Sequence, residues 1–182
     1  MIRKRNIQRE QEILKNVMPI FKDLLEKIKL NHVNYDFKPF DVFEMDCPNP
    51  ESFGMNGYVV LPKELPVDYL DDFYKDLDFE IVWGLTFGGY AWKDFSGDMH
   101  LITLEQGKWS SYFFEGEYIK MEIPQELEEI LEEIRSFVVP VIGFSDDHIT
   151  PAQLNGVEGA KYVAELIKEK LFLLESLGGL HE

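Results

Sequence analysis

Alternation of apolar and polar residues is clearest between Leu77 and Phe87, where it predicts the central strand of the protein. The odd-numbered positions of this stretch are apolar, and the even-numbered ones include Asp78 and Glu80. A period of two over this length, with β-branched and aromatic residues, is typical of a strand that has one face in the core. Asp76, Asp78 and Glu80 are therefore predicted to form a row of carboxylates on the opposite face.

Three longer segments have the 3.6-residue spacing of amphipathic helices, one near the N-terminus, one in the second half of the chain and one near the C-terminus. They cover residues 6–30, 125–137 and 157–177. Pro19 is expected to kink or split the first of these helices near Met18, because proline removes a backbone donor. A shorter helix is predicted from Pro66 to about Tyr74, since proline is well tolerated at the first helical position.

Short apolar segments separated by turn residues predict the remaining strands. They cover residues 57–61, 90–92, 99–104, 109–114, 117–123 and 138–144, and a turn is predicted at Gly88-Gly89. The fold class predicted is α+β, with an antiparallel meander sheet of about 4–6 strands. The N-terminal, middle and C-terminal amphipathic helices are expected to cover this sheet.

The length of 182 residues predicts a single domain. Its predicted parts are a basic N-terminal helix (1–30), an irregular arm (31–56) and an α+β core (57–182). Cys47 is the only cysteine, which excludes an intramolecular disulfide and favours a reducing compartment. No apolar segment approaches the roughly 20 residues of a membrane span, and the N-terminal segment lacks the apolar part of a secretory signal. We therefore expect a cytoplasmic protein that does not contact membranes.

The net charge of −16 is unevenly distributed. Residues 1–30 hold eight Lys/Arg against four Asp/Glu, a net +4, whereas the remaining residues carry −20. An acidic body repels nucleic acid and attracts basic grooves, so basic proteins are the predicted partners. The basic face of the first helix has two interpretations: it lies in solvent or against the acidic body, or it binds phosphates. In the second case the contacts are Arg3, Lys4, Arg5 and Arg9.

The helix at 125–137 carries a run of glutamates along one edge. Glu126, Glu129 and Glu133 lie at helical spacing on that edge. Such a run is usually a solvated face. The alternative is a phosphate-like row that mimics nucleic acid for a basic partner, in which case these three residues bind it.

Candidate catalytic groups are limited to carboxylates and histidines. The chain has no glycine-rich phosphate loop, no paired-cysteine zinc spacing, no His-Glu-x-x-His and no elbow-type serine. The sequence leaves three groups, which are the row Asp76, Asp78 and Glu80, the pair His100 and Asp98, and the segment Asp146-Asp147-His148. Such groups hold a divalent metal or act as acid and base in phosphodiester cleavage. The alternative is a hydrated acidic rim without chemistry.

Three sequence blocks resemble a family of small proteins from phages and other mobile elements of Gram-positive bacteria. The blocks are Gly-Tyr-Val-Val-Leu-Pro at 57–62, Lys-Asp-Leu-Asp-Phe-Glu-Ile-Val-Trp-Gly-Leu-Thr at 75–86 and Gly-Phe-Ser-Asp-Asp-His at 143–148. Where the family has histidine, glycine and aspartate, this chain has Val82, Trp83 and Ser145. The resemblance covers roughly residues 57–177 and implies a mobile-element setting.

Size and charge are also similar to those of anti-CRISPR proteins that act on type II RNA-guided nucleases. The resemblance implies a counter-defence inhibitor in the host cytosol, with a type II effector and its guide RNA as partner. Its expected action is to cleave or displace that RNA. Asp76, Asp78, Glu80 and His148 would be the acid, base or metal-holding groups of a ribonuclease-like reaction.

Two other function classes stay open at this point. One is an acidic nucleic-acid mimic that binds its partner without catalysis. The other is a small phage hydrolase or small-molecule binder, with the aromatic region of Trp83, Tyr90 and Trp92 as its pocket.

Overall fold

The computed structural model describes residues 7–47, 54–77, 84–106, 108, 121–145 and 156–178. The helices are α1 (Ile7–Asn31), α2 (Asp72–Lys75), α3 (Gln125–Arg135) and α4 (Gly156–Gly178). The strands are β1 (Val42–Asp46), β2 (Met55–Val60), β3 (Phe87–Lys93), β4 (Met99–Ile102) and β5 (Val139–Phe144).

The strands form one five-stranded sheet in the order β1-β2-β5-β3-β4. Its β1/β2, β2/β5 and β3/β4 pairs are antiparallel. This arrangement of sheet and helices confirms the predicted α+β class. The strand order is not sequential, because β5 lies between β2 and β3. Both β2 and β5 are buried over most of their length, as central strands of a covered sheet should be.

Two compact units make up the chain. Unit 1 consists of Met1–Tyr35 and Tyr90–Val138, and unit 2 of Asp36–Gly89 and Val139–Glu182. The single-domain organisation stays a prediction.

The core of unit 1 lies between α1 and α3. Helix α1 contributes Ile13, Val17, Phe21, Leu25 and Ile28, at the i, i+3, i+4 spacing predicted from the sequence. Helix α3 contributes Leu127, Leu131 and Ile134, together with Trp92 and Leu104 from elsewhere in the unit.

The core of unit 2 lies between the sheet and α4. Strands β2 and β5 contribute Val59, Ile142 and Phe144, and α4 contributes Ala160, Val163, Ala164 and Ile167. Tyr74 of α2 is buried in the same core, where its hydroxyl donates to the Pro66 carbonyl at 2.7 Å.

The three long helices predicted from hydrophobic spacing are confirmed, and of the two effects predicted for Pro19 the split is wrong while the kink stays a prediction. Pro19 does not split the helix, which continues from Ile7 to Asn31. The proline itself is exposed, while the buried stripe on the other side continues from Val17 to Phe21. Core packing on that side therefore holds the helix together despite the lost backbone donor.

The predicted central strand is wrong in its described parts. Leu77 and residues 84–86 are not in a strand, and β3 begins only at Phe87. Asp76 is the residue at which α2 ends. Residues 78–83, with Asp78 and Glu80, lie outside the described part of the chain.

The short helix predicted from Pro66 is also shorter than expected. The Asp68 side chain accepts the Leu70 N–H at 3.1 Å, and the Asp71 side chain accepts the Phe73 N–H at 2.8 Å. The Asp68 bond forms a turn ahead of the helix, and the Asp71 bond caps the N-terminus of α2, so the helix begins at Asp72.

The predicted strands near the middle of the chain are only partly described. The strand at 99–104 is confirmed over Met99–Ile102. The segments at 109–114 and 117–120 lie outside the described residues, and residues 121–123 are not in a strand.

The turn predicted at Gly88-Gly89 is wrong, because both glycines lie within β3. A side chain at Gly88 would overlap the Val67 carbonyl oxygen and approach the Tyr69 nitrogen at 3.0 Å. Glycine is present here because a neighbouring backbone passes close to the strand.

Gly88→Ala is expected to lower the free energy of unfolding by about 3 kcal/mol, because its methyl group meets backbone atoms that cannot move aside. Gly84→Ala is the matched control. Gly84 has a φ of 67°, and no atom lies within 4 Å of an added Cβ. Gly84→Ala should therefore lower the free energy of unfolding by only about 1 kcal/mol, through conformational strain. Urea unfolding of the two variants measures both values. An equal or smaller loss at Gly88 would contradict the close approach.

Candidate functional site

The predicted catalytic set is described at one residue only. Asp78, Glu80 and His148 lie outside the described residues, so their assembly with Asp76 stays a prediction. Asp76 itself is exposed and forms an ion pair with Lys170 of α4. The hydrogen bond from Lys170 lowers the pKa of the Asp76 carboxyl. The same ammonium donates to the Phe73 carbonyl and lies 4.6 Å from the centre of the Phe73 ring.

Asp76 therefore has a structural role in unit 2. Lys170 is largely buried, and burying an ammonium is costly unless a counter-charge and acceptors satisfy it. Asp76 supplies that charge, so its carboxylate ties α4 to the end of α2.

The predicted phosphate contacts lie at the start of the chain. Arg3, Lys4 and Arg5 are outside the described residues, and Arg9 is half-buried in α1. Their binding to nucleic acid stays a prediction.

The acidic edge of α3 contacts the basic face of α1. Glu126 pairs with Lys22 at 2.6 Å and Glu133 pairs with Lys29 at 2.5 Å. Between them, Glu129 accepts a hydrogen bond from Gln125 at 2.9 Å. The interpretation in which the basic face of α1 lies against acidic residues thus holds for both lysines. These pairs are exposed, so each contributes at most about 1 kcal/mol.

A histidine and an aspartate that the sequence did not pair lie together at β3 and β4. The His100 Nε2 atom is 2.8 Å from the Asp94 Oδ2 atom. The other oxygen of Asp94 accepts the backbone N–H groups of Ser96 and Asp98, at 2.8 and 3.1 Å. Hydrogen bonding to His100 lowers the pKa of Asp94. The carboxylate partner of His100 is therefore Asp94, and the predicted pairing with Asp98 is wrong.

An indole ring fixes the orientation of His100. Trp92 lies opposite His100 in the β3/β4 register, and the two rings stack with centroids 4.3 Å apart and planes 20° apart. The Trp92 ring is buried, while the His100 side chain is 31% exposed. One ring face is thus covered by Trp92, and Asp94 holds Nε2. An imidazole oriented in this way can take up or release a proton.

A second histidine lies beside this pair. His32 forms an isolated antiparallel bridge with Asp94, and its ring meets the Phe137 ring edge-to-face at 4.7 Å. The Nδ1 atom of His32 and the Nε1 atom of Trp92 are buried without a hydrogen-bond partner among the described residues. Asp94 directly follows β3, two residues after Trp92.

The described residues contain no group of three or more His, Cys, Asp or Glu side chains arranged to hold a metal ion. The metal predicted at the carboxylate row would involve Asp78, Glu80 and His148, which are not described.

A half-buried carboxylate, Glu105, lies elsewhere in unit 1. Burial raises its pKa, and its Oε2 atom is buried without a hydrogen-bond partner in the described part of the chain. Arg135 acts on this carboxylate electrostatically, but its guanidinium is bonded to Glu132 at 2.6 Å and to the Tyr90 hydroxyl. Glu105 is thus a carboxyl group whose charge the fold disfavours.

Glu105→Gln is expected to raise the free energy of unfolding at neutral pH. The pKa of Glu105 is higher in the folded than in the unfolded protein, so folding favours the protonated carboxyl group. Its contribution to stability is therefore fully present only below the ordinary pKa of 4.5. That contribution is lost as the pH rises through the folded-state pKa, so the advantage of the variant should shrink as the pH falls toward 4.5.

Urea unfolding at neutral pH and at about pH 4 measures this difference. The exposed Glu64→Gln serves as control and should change little at either pH. A Glu105→Gln variant that is less stable than the parent protein at neutral pH would contradict the assignment.

No protein-family model matches the chain, and the curated proteins and solved structures that were compared with it contain no match. Among the described helices, none is long and apolar enough to cross a membrane.

Proposed function

We propose that this protein acts by binding, and that unit 2 is an acidic body that docks on a basic partner. The uneven charge of the two units carries the proposal. Unit 1 holds 12 Lys/Arg and 15 Asp/Glu, a net −3, whereas unit 2 holds 6 Lys and 19 Asp/Glu, a net −13. A surface dominated by one sign of charge attracts oppositely charged partners and speeds their association.

Most lysines of unit 2 are already paired within the unit. The pairs are Lys75–Asp72, Lys161–Glu158, Lys168–Glu165 and Lys170–Asp76. Glu169 and Glu175 of α4 are exposed, and no lysine or arginine of the described residues pairs with them. The paired lysines therefore neutralise four carboxylates and leave a clear acidic excess at the surface.

The acidic edge of α3 is the less favoured docking surface. Two of its three predicted contact residues, Glu126 and Glu133, already pair with lysines of α1. A partner that binds there must compete with those lysines. We therefore place the docking surface on unit 2 and keep α3 as the alternative.

The proposed partner class rests on the resemblance to mobile-element proteins and on the similarity in size and charge to anti-CRISPR proteins. A type II RNA-guided nuclease holds its nucleic acids in a positively charged channel, which an acidic protein can occupy. We propose a counter-defence inhibitor, in the cytoplasm of the host bacterium, that displaces nucleic acid from such an effector.

Two double variants, each of which removes two carboxylates, distinguish the docking surface on unit 2 from the one on α3. Glu169→Gln/Glu175→Gln on unit 2 is expected to slow association with the guide-loaded effector several-fold, since surface charges act mainly on the association rate. Glu126→Gln/Glu133→Gln on α3 should change it little. Surface plasmon resonance over a salt series measures both, and binding should weaken as the salt concentration rises.

A stronger loss in the α3 variant would move the docking surface to α3. An association with the effector that does not depend on salt, or no association at all, would contradict the proposal.

RNA cleavage is a second candidate function, favoured by the His100–Asp94 pair. In this reading His100, oriented by Asp94 and Trp92, removes or supplies the proton during phosphodiester cleavage. The undescribed Asp78, Glu80 and His148, with a divalent metal, are the other proposed centre for the same reaction.

Cleavage is tested directly by incubating the protein with an effector that holds labelled guide RNA, with and without EDTA. The RNA is then run on a denaturing gel. If His100 acts, the RNA is shortened, His100→Asn abolishes the cleavage and His148→Asn does not. Loss of RNA cleavage both in EDTA and in the Asp78→Ala/Glu80→Ala variant would instead assign the reaction to the carboxylate row. Intact RNA with the parent protein would contradict both centres.

A further inference from the structure

The last two turns of α4 expose four large apolar side chains. Phe172, Leu173, Leu174 and Leu177 are exposed to 69, 60, 49 and 61%. The first turns of the same helix bury Ala160, Val163 and Ile167 completely in the core of unit 2. The helix thus changes from a core element to an exposed apolar one along its length.

Three of these side chains, Leu173, Leu174 and Leu177, lie on one face of the helix, which we call the α4 apolar end, whereas Phe172 lies on another side. Leu173 and Leu177 are four residues apart and Leu174 and Leu177 three apart, so they are neighbours on the helix. Ser176 Oγ donates to the Phe172 carbonyl at 2.8 Å, and the helix is regular through Leu177. Large apolar side chains that are exposed next to one another on a protein surface commonly mark an interaction site.

Acidic residues border the α4 apolar end. Glu169, four residues before Leu173, and Glu175, next to Leu174, are both exposed. The nearby lysines are engaged elsewhere, since Lys168 pairs with Glu165 at 2.6 Å and Lys170 pairs with Asp76. The patch is therefore apolar with an acidic border, on the unit that carries −13.

A second copy of the chain fits this surface poorly. A two-fold contact would bring the same acidic borders together, and like charges repel.

We propose that the α4 apolar end anchors an amphipathic, basic helical segment of a protein partner. The apolar side chains of that segment would cover Leu173, Leu174 and Leu177, and its Lys or Arg side chains would meet Glu169 and Glu175. Helix-on-helix recognition of this kind uses apolar anchors at i, i+3, i+4 and i+7. The inference rests on the proposed function, because it names the part of unit 2 that grips the basic partner.

A designed peptide tests this surface without the effector. The probe is a labelled peptide of leucine and lysine with leucines at helical spacing, and its binding to the full chain is followed by fluorescence anisotropy. Leu173→Gln/Leu177→Gln should weaken binding about tenfold or more, as expected for central apolar anchors. The control Ile7→Gln/Ile20→Gln removes two exposed apolar side chains of α1 and should bind like the parent protein.

Two further peptides separate charge from shape. A peptide of the same composition with alternating leucines keeps the charge but lacks the apolar helix face, and a leucine–glutamate peptide reverses the charge. Both should bind at least about tenfold more weakly than the probe. Equal binding of the alternating peptide, or unchanged binding by Leu173→Gln/Leu177→Gln, would overturn the inference. If the double variant does not fold, Leu177→Gln alone in the last turn replaces it.

Sedimentation of the chain alone identifies the competing occupant. A monomer agrees with the inference, whereas a dimer that Leu173→Gln/Leu177→Gln dissociates would assign the surface to a second copy.

Failure of the inference is distinguishable from failure of the proposed function. Salt-sensitive effector binding with no dependence on Leu173 and Leu177 would overturn the inference alone, and peptide binding without effector binding would overturn the proposed partner alone.

Discussion

Unit 2 depends on the pairing of β2 with β5. The register places Tyr58 opposite Gly143, Val59 opposite Ile142 and Val60 opposite Val141, although these partners are about 80 residues apart in the chain. Joining such distant segments costs loop-closure entropy, which burial of both strands must offset. The Tyr58 ring adds to this core, since it stacks on the Phe43 ring with centroids 5.1 Å apart and meets the Phe87 ring edge-to-face at 5.8 Å.

Helix α4 is held on this sheet near its start and again at Lys170. At its start, Glu44 of β1 accepts the Val157 N–H at 2.9 Å, which places a negative charge where the helix dipole favours one. Farther along, Lys170 is bound to Asp76 and to the Phe73 carbonyl. Beyond Lys170 the side chains from Phe172 to Leu177 are exposed. The acidic and apolar surface proposed for partner binding is therefore carried on a helix whose first part is fixed by the core.

Sequence periodicity predicted the long helices and the fold class but not the strand order. The i, i+4 spacing of α1 and α3 shows directly in their buried residues. At Leu77 the predicted strand was wrong because the chain is leaving α2, which Asp71 caps and which ends at Asp76, and residues 84–86 precede β3. The position of β5 depends on long-range pairing, which no local pattern reports.

The candidate sites show the same difference between local and long-range information. The Asp94–His100 pair follows from a local turn, and the sequence Asp94-Phe95-Ser96-Gly97-Asp98 could have indicated that Asp94 caps it. The contacts of Lys22 with Glu126 and of Lys170 with Asp76 join residues about 100 positions apart. Sequence reasoning gave the charges of these residues but could not give their partners.

Hydrogen–deuterium exchange of the chain with and without guide-loaded type II effector tests the central claim most directly. The account predicts slower exchange on binding in α4 between Glu165 and Leu177, with α3 unchanged. Slower exchange confined to α1 and α3, with α4 unaffected, would contradict the claim that unit 2 is the binding surface.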